Sequence, residues 1–230
     1  MIFNGFQKMT LLDFPGRVAA TLFLGGCNLR CPFCHNASLV LDGKSREEYE
    51  DAEILSYLEK RRGLLDGVCV TGGEPLLRRE LPDFLKKVRA LGYAVKLDTN
   101  GTMPDRLEAL LREGLLDYVA MDIKNALSRY GDAVGIPNFD VTPVERSIDL
   151  LLSGAVDYEF RTTVVKELHT VEDIAALAER IRGARRYFLQ GFVDSGDLLS
   201  QDLSAVSKET MEKMRDAARA FVPSAETRGV

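Results

Sequence analysis

The sequence predicts an α/β chain built on a parallel sheet covered by helices. Three observations predict it. β-type apolar runs alternate with helically spaced apolar residues, no second composition regime interrupts the alternation, and polar residues collect where the β-type runs end. In parallel α/β folds ligands gather at the carboxyl ends of the strands, so those polar clusters form the candidate site. Pattern alone leaves an open doubly wound sheet and a partial barrel both in play.

The elements follow in order. Ile2 to Gly16 is short and mixed and ends in the turn Asp13-Phe14-Pro15-Gly16. Val18 to Leu24 reads as a buried strand, and Gly25-Gly26 releases the chain into a cysteine-rich loop. Val68 to Thr71 is followed by Leu81, Phe84, Leu85, Val88 and Leu91 at helical spacing. Ala94 to Asp98 leads to a helix opening near Pro104, with Leu107, Leu110 and Leu111 on one face. Tyr118 to Ile123 is followed by a loop holding Gly131, Gly135 and Pro137, then by Val144, Ile148, Leu151 and Leu152. Tyr158 to Val165 precedes Val171, Ile174, Leu177 and Ile181, and Tyr187 to Phe192 precedes a last helix through Met211, Met214 and Phe221. A single domain over 1–230 is expected, with its core at about 16–192 and a helical tail after 205.

Composition narrows the function classes. Hydrophobic residues are 46% and charged residues 28% of the chain, as in an ordinary globular protein. A net charge of -5 and a pI near 5.3 weigh against nucleic acid or an anionic membrane as partner. The basic pairs Arg61-Arg62, Arg78-Arg79, Lys86-Lys87 and Arg185-Arg186 are interleaved with acids and read as solvated helix faces. No apolar run is long enough to span a bilayer and no signal-peptide pattern opens the chain. The expected location is the reducing cytoplasm, where free thiols persist.

Three of the four cysteines lie in one loop, Cys27-Asn28-Leu29-Arg30-Cys31-Pro32-Phe33-Cys34-His35-Asn36, at C-x3-C-x2-C spacing. Thiolates so placed suit iron–sulfur or zinc chemistry. A closed site for either takes four protein ligands, and His35, directly after Cys34, is awkwardly placed to be the fourth. Cys69, inside Val68-Cys69-Val70, reads as a buried core thiol, and a disulfide framework does not suit a chain of this length with an unpaired leftover cysteine. An incomplete set has a chemical use: three thiolates hold three irons of a [4Fe–4S] cube and leave the fourth open to chelate a small molecule. The rival from another class is a zinc-binding adaptor, which gives no reason for polar residues at the strand ends.

Those strand ends are specific. Thr71-Gly72-Gly73-Glu74-Pro75 puts two glycines where backbone can bend and approach a ligand, though taken alone it is also a tight turn. Leu97-Asp98-Thr99-Asn100-Gly101 and Met121-Asp122-Ile123-Lys124 offer carboxylates and an ammonium for a ligand or for an ion pair at the rim. Arg161 suits a bidentate carboxylate contact, or an internal pair with Glu159 or a neighbouring acid. The histidines, His35 and His169, lie outside these groups as a local loop residue and a residue of no motif.

The cysteine spacing, with the aromatic Phe33 before the third cysteine, resembles that of the radical S-adenosylmethionine (SAM) enzymes. The resemblance implies an open (β/α)6 barrel, a partial TIM-like form, and one [4Fe–4S] cluster on Cys27, Cys31 and Cys34, whose open iron binds SAM. The reduced cluster then cleaves SAM to a 5′-deoxyadenosyl radical. It further implies that Phe33 lies near adenine, that Gly72, Gly73 and Glu74 meet the SAM amino group, and that Lys124 meets its carboxylate. Asp98, Thr99, Asp122 and Arg161 would complete the SAM site, with a monovalent cation beside it.

Asp13-Phe14-Pro15-Gly16 together with Gly25-Gly26-Cys27-Asn28-Leu29-Arg30-Cys31-Pro32-Phe33-Cys34-His35-Asn36 is similar to the activating enzymes of glycyl radical proteins, most of all those of anaerobic ribonucleoside-triphosphate reductase. The expected partners are therefore a glycyl radical enzyme and a flavodoxin- or ferredoxin-type electron donor. The absence of a second cysteine cluster after Asn36 departs from activases that carry further clusters. Alternatives within the same chemistry are a pyruvate formate-lyase-type activase and a small-molecule enzyme such as 7-carboxy-7-deazaguanine synthase.

Overall fold

A computed structural model describes residues 1–41 and 47–229. The chain is α/β and its strands pair mostly in parallel. It separates into two compact units, one of Met1–Asn28, Ser38–Thr99 and Met103–Ala120, the other of Leu29–Ala37, Asn100–Thr102 and Met121–Val230. Among the described residues no helix is long and apolar enough to cross a membrane.

In the first unit β1 (Ile2–Phe3), β2 (Gly5–Thr10) and β3 (Ala19–Leu24) are followed by α1 (Ala37–Leu41, which begins in the other unit), β4 (Tyr49–Glu50) and α2 (Asp51–Lys60). Then come β5 (Gly67–Gly72), α3 (Leu81–Ala90), β6 (Ala94–Thr99), α4 (Pro104–Arg112) and β7 (Tyr118–Asp122), whose last two residues belong to the second unit. β3, β5 and β6 are parallel neighbours, with Thr21 opposite Cys69 and Cys69 opposite Lys96. The apolar runs on these strands are buried, as a strand covered on both faces requires. Leu81, Phe84, Leu85 and Val88 turn the predicted face of α3 inward, each side chain contributing roughly 2 kcal/mol of burial.

Two features of this unit were not expected. The mixed N-terminal stretch forms β2, antiparallel to β3 with a register shift between Gln7 and Thr10. Its middle, Gln7-Lys8-Met9, is exposed, so the strand lacks a clean buried alternation. The Asp13-Phe14-Pro15-Gly16 turn is a plug: Phe14 is buried with Ala19, Tyr118 and Ala120, and Asp13 accepts from the Thr21 hydroxyl at 2.6 Å.

The second unit holds α5 (Tyr130–Val134), α6 (Thr142–Leu152), β8 (Asp157–Val164), α7 (Val171–Arg180), β9 (Tyr187–Gly191), α8 (Lys208–Arg219) and β10 (Ala225–Arg228). α5 lies in the predicted loop, stopped by Gly135 in the left-handed region at φ 67°. α7 opens with a capping box between Thr170 and Asp173. β8 and β9 are parallel, and β10, which follows the last helix, extends the same parallel order. Its sequence, Ala225-Glu226-Thr227-Arg228, has no apolar run, so only its pairing identifies it as a strand.

Candidate active site

In the first unit the cysteine loop leaves β3 under tight backbone control. The Gly25 amide donates to Asn4 Oδ1 at 2.8 Å, and Arg78 Nη2 donates to the Gly25 carbonyl at 2.6 Å. The turn after β5 is laced to the same stretch: Gly73 N donates to Leu24 O at 2.8 Å and Glu74 N to Gly26 O at 2.9 Å. A side chain has no room there. A Cβ on Gly72, whose φ is 130°, would stand 2.2 Å from Leu24 O, and one on Gly73 would stand 2.0 Å from Gly26 O and 3.2 Å from Cys27 Cβ. The fully buried Glu74 carboxylate accepts from Leu76 N and from the Thr99 hydroxyl, both at 3.0 Å. Its side chain thus ties the turn to the end of β6.

Asp98, also on β6, carries a partner that the sequence reading passed over. Lys96 is 2% exposed at its side chain, and its ammonium lies on Asp98 Oδ1 and 3.7 Å from Cys69 Sγ. The signal in the sequence is a lysine between the apolar Val95 and Leu97, within a run that otherwise has the pattern of a buried strand.

In the second unit, Asp122, Lys124 and Arg161 form one ionic cluster. Asp122 Oδ1 accepts from Arg161 Nε at 2.8 Å and Oδ2 from Lys124 Nζ at 3.1 Å. Burial opposes charge on both partners. The Arg161 and Lys124 charges nevertheless hold the Asp122 carboxyl well below the usual carboxylate range, and Asp122 and Cys31 hold Lys124 above the usual lysine range. Lys124 Nζ stands 6.0 Å over the Phe33 ring, so the predicted aromatic and the predicted ammonium are neighbours. Glu159, the other acid considered for Arg161, is paired with Arg228 of β10 at 3.2 Å.

His169, which lies in no motif, and Tyr130 hold this cluster in place. His169 is buried, accepts from Val165 N at 3.0 Å through Nδ1, and meets Lys124 O at 2.8 Å through Nε2. Tyr130 is buried, accepts from Lys124 N at 3.3 Å, and has its phenol pushed up by burial. Neither lies in a motif; only proximity in the fold finds them. The loop itself is pinned by Arg30 N on Val134 O at 2.9 Å and Ser200 N on Pro32 O at 3.0 Å. His35 packs on Phe192, and burial lowers its imidazole pKa.

Cys27 belongs to the first unit, Cys31 and Cys34 to the second, and among the described residues none of the three is in a disulfide. Among the described residues no three His, Cys, Asp or Glu side chains are gathered as a metal site. The donor set nonetheless fits an iron–sulfur cluster: soft thiols closely spaced along one loop, with a bare glycine edge packed on its start. The fit to a monovalent cation is different, because the Asp98 carboxylate already carries the Lys96 ammonium and Asp122 carries Arg161 and Lys124.

Residues 21–181 match the radical SAM superfamily, and the chain belongs to it. That family implies a [4Fe–4S] cluster and SAM. Over 197 residues, 82% of this chain and 79% of the relative, it is 31% identical to a Methanocaldococcus jannaschii protein whose name assigns it as a glycyl-radical enzyme activating enzyme. Over 233 residues it is 34% identical to the pyruvate formate-lyase-activating enzyme of Clostridium pasteurianum, covering 92% of this chain and 94% of that one. In fold it resembles a domain of the pyruvate formate-lyase-activating enzyme of Bacteroides vulgatus, with a TM-score of 0.58, 19% identity, and 71% of this chain and 99% of that one covered.

Proposed function

We propose that this protein uses a cluster on Cys27, Cys31 and Cys34 and bound SAM to place a glycyl radical on a partner enzyme, anaerobic ribonucleoside-triphosphate reductase in particular. The observation that carries the reading is the lacing of Gly72-Gly73-Glu74 onto the Leu24–Cys27 stretch, which sets a bare backbone edge beside the first cysteine. Two relatives named as activases cover most of the chain and support the class of partner. The reductase rests on the Asp13-Phe14-Pro15-Gly16 and Cys27-Asn28-Leu29-Arg30-Cys31-Pro32 stretches.

When bound, the cluster and SAM supply reductive cleavage of a carbon–sulfur bond and a radical able to take a hydrogen atom from glycine. The chain's own residues bind and orient. Lys124, kept charged by Asp122, offers an ammonium to the SAM carboxylate, and Phe33 beneath it offers a face to the adenine. The Gly72-Gly73 backbone would receive the amino group of SAM, and Asp98, Thr99, Asp122 and Arg161 would serve its nucleoside. The electron donor is of flavodoxin or ferredoxin type, and the setting cytoplasmic.

The test uses protein purified and reconstituted without oxygen. Reduced with SAM, it should release 5′-deoxyadenosine and, with the reductase present, give a glycyl-radical EPR signal. Cys31→Ala should lose iron and both products. A radical formed only on pyruvate formate-lyase would move the partner. Turnover of a small pterin-like substrate with no partner would favour 7-carboxy-7-deazaguanine synthase chemistry, and tightly bound zinc without SAM cleavage would sink the enzyme reading.

A further inference from the structure

We propose that the Lys96 ammonium is the resident counter-ion of Asp98, so that this protein binds SAM with no monovalent cation at that carboxylate. Residues 96 and 98 are two apart on β6 and therefore share a face of the strand. The parallel register sets Cys69 of β5 opposite Lys96, and the three side chains form one group: Lys96 Nζ on Asp98 Oδ1, Cys69 Sγ at 3.7 Å from Nζ and 3.9 Å from Asp98 Oδ1. Val95 and Leu97 on either side are fully buried, and the Lys96 side chain is 2% exposed.

A buried ammonium needs a counter-charge, and Asp98 provides it. An ammonium group and a potassium ion share charge and nearly share size. The carboxylate oxygen that holds one has no vacancy for the other, and two cations side by side would repel. A tethered lysine also makes the neutralisation independent of the salt around the protein, since its effective concentration is set by the strand. Lys96 thus acts as a positioning residue: it fixes the Asp98 carboxylate that the proposed SAM site uses, and the affinity measurement below rests on that reading.

The experiment titrates reconstituted protein with SAM by calorimetry in potassium, sodium or N-methylglucamine chloride at equal ionic strength. Melting temperatures are recorded in the same buffers without SAM. Native protein should show the same SAM affinity, within about twofold, in all three salts. Lys96→Met should melt roughly ten degrees lower in N-methylglucamine and recover in potassium as the ion takes the vacated place, its SAM affinity following.

Native affinity about tenfold tighter in potassium than in N-methylglucamine would overturn the proposal, as would a Lys96→Met variant indifferent to the salt. Lys96→Met/Asp98→Asn, which removes both charges, guards against a single variant that fails to fold. It should melt independently of the salt, and a salt response there would place the ion elsewhere and count against Lys96. Failure of native protein to bind SAM in any salt would refute the proposed function alone, leaving the melting series to decide the lysine.

Discussion

A Cβ on Gly73 would stand 2.0 Å from the carbonyl oxygen of Gly26. The contact is backbone against backbone at the start of the cysteine loop, so no flexible side chain can yield to relieve it. Gly73→Ala should therefore destabilise the protein by about 3 kcal/mol through overpacking. It should also push the Cys27 end of the loop away and lower iron retention after reconstitution. Urea unfolding and iron analysis check both, and a variant with native stability would show that the loop shifts freely.

The Asp122 cluster predicts a pH signature. With its carboxyl held below the usual range by Arg161 and Lys124, Asp122 contributes stability that is fully present above its unfolded value of about 3.9. That contribution is lost as the pH falls through the lower folded value. Lys124 has the opposite sense: its contribution is present below about 10.4 and is lost only at still higher pH. Asp122 is 32% exposed, so solvent discounts the pair, and Asp122→Asn should cost about 2 kcal/mol at neutral pH. The gap between native protein and variant should close below about pH 3. A constant gap down to pH 2 would show that the carboxylate's charge is not what stabilises.

The parallel strands and their helices were legible because apolar runs and helical spacing follow directly from burial, as Val68, Cys69 and Val70 on β5 or Phe84 and Val88 on α3 show. Gly72-Gly73 was legible because only glycine tolerates that approach. Four features were not. β2 is an edge strand with an exposed middle, and β10 has no apolar run, so each depends on a neighbour distant in sequence. Lys96 sits on a strand that otherwise reads as core, and the bond that explains it is made by its own neighbour two residues on. His169 takes its role from Lys124, 45 residues away, through a backbone carbonyl that leaves no mark on the sequence.

β10 brings Arg228 to Glu159, whose side chain is 2% exposed. The guanidinium meets both carboxylate oxygens, at 3.2 and 3.3 Å, and lies over the Phe188 ring. Removing it takes a countercharge away from a buried carboxylate, whereas removing both charges leaves no such imbalance. With Arg228 42% exposed, Arg228→Ala should cost about 2 kcal/mol. Adding Glu159→Gln should restore about half of that or more, a coupling that a double-mutant cycle reads directly. Additive costs would mean that β10 is held by its backbone pairing with β9 alone.

His169 couples stability to mild acid. Its Nδ1 accepts the Val165 amide, which places the ring proton on Nε2, where it donates to Lys124 O. Burial pushes the imidazole below its ordinary pKa, against the pull of the Lys124 and Val165 backbone contacts. The folded state thus takes up a proton later than the unfolded chain does. The unfolded chain binds it as the pH drops through about 6.5, so the stability contributed by neutral His169 is present above that value and lost below it. Burial lowers His35 in the same sense, so the native curve alone cannot separate the two. Unfolding free energy should be followed from pH 8 to 5 for native protein and for His169→Gln. The variant should be less stable at pH 8 by about 1–2 kcal/mol, from the lost Lys124 and Val165 bonds. The difference should shrink towards pH 5, as the native protein alone forfeits the neutral ring. A difference that stays constant over that range would mean that the imidazole of His169 titrates alike in the folded and unfolded chain.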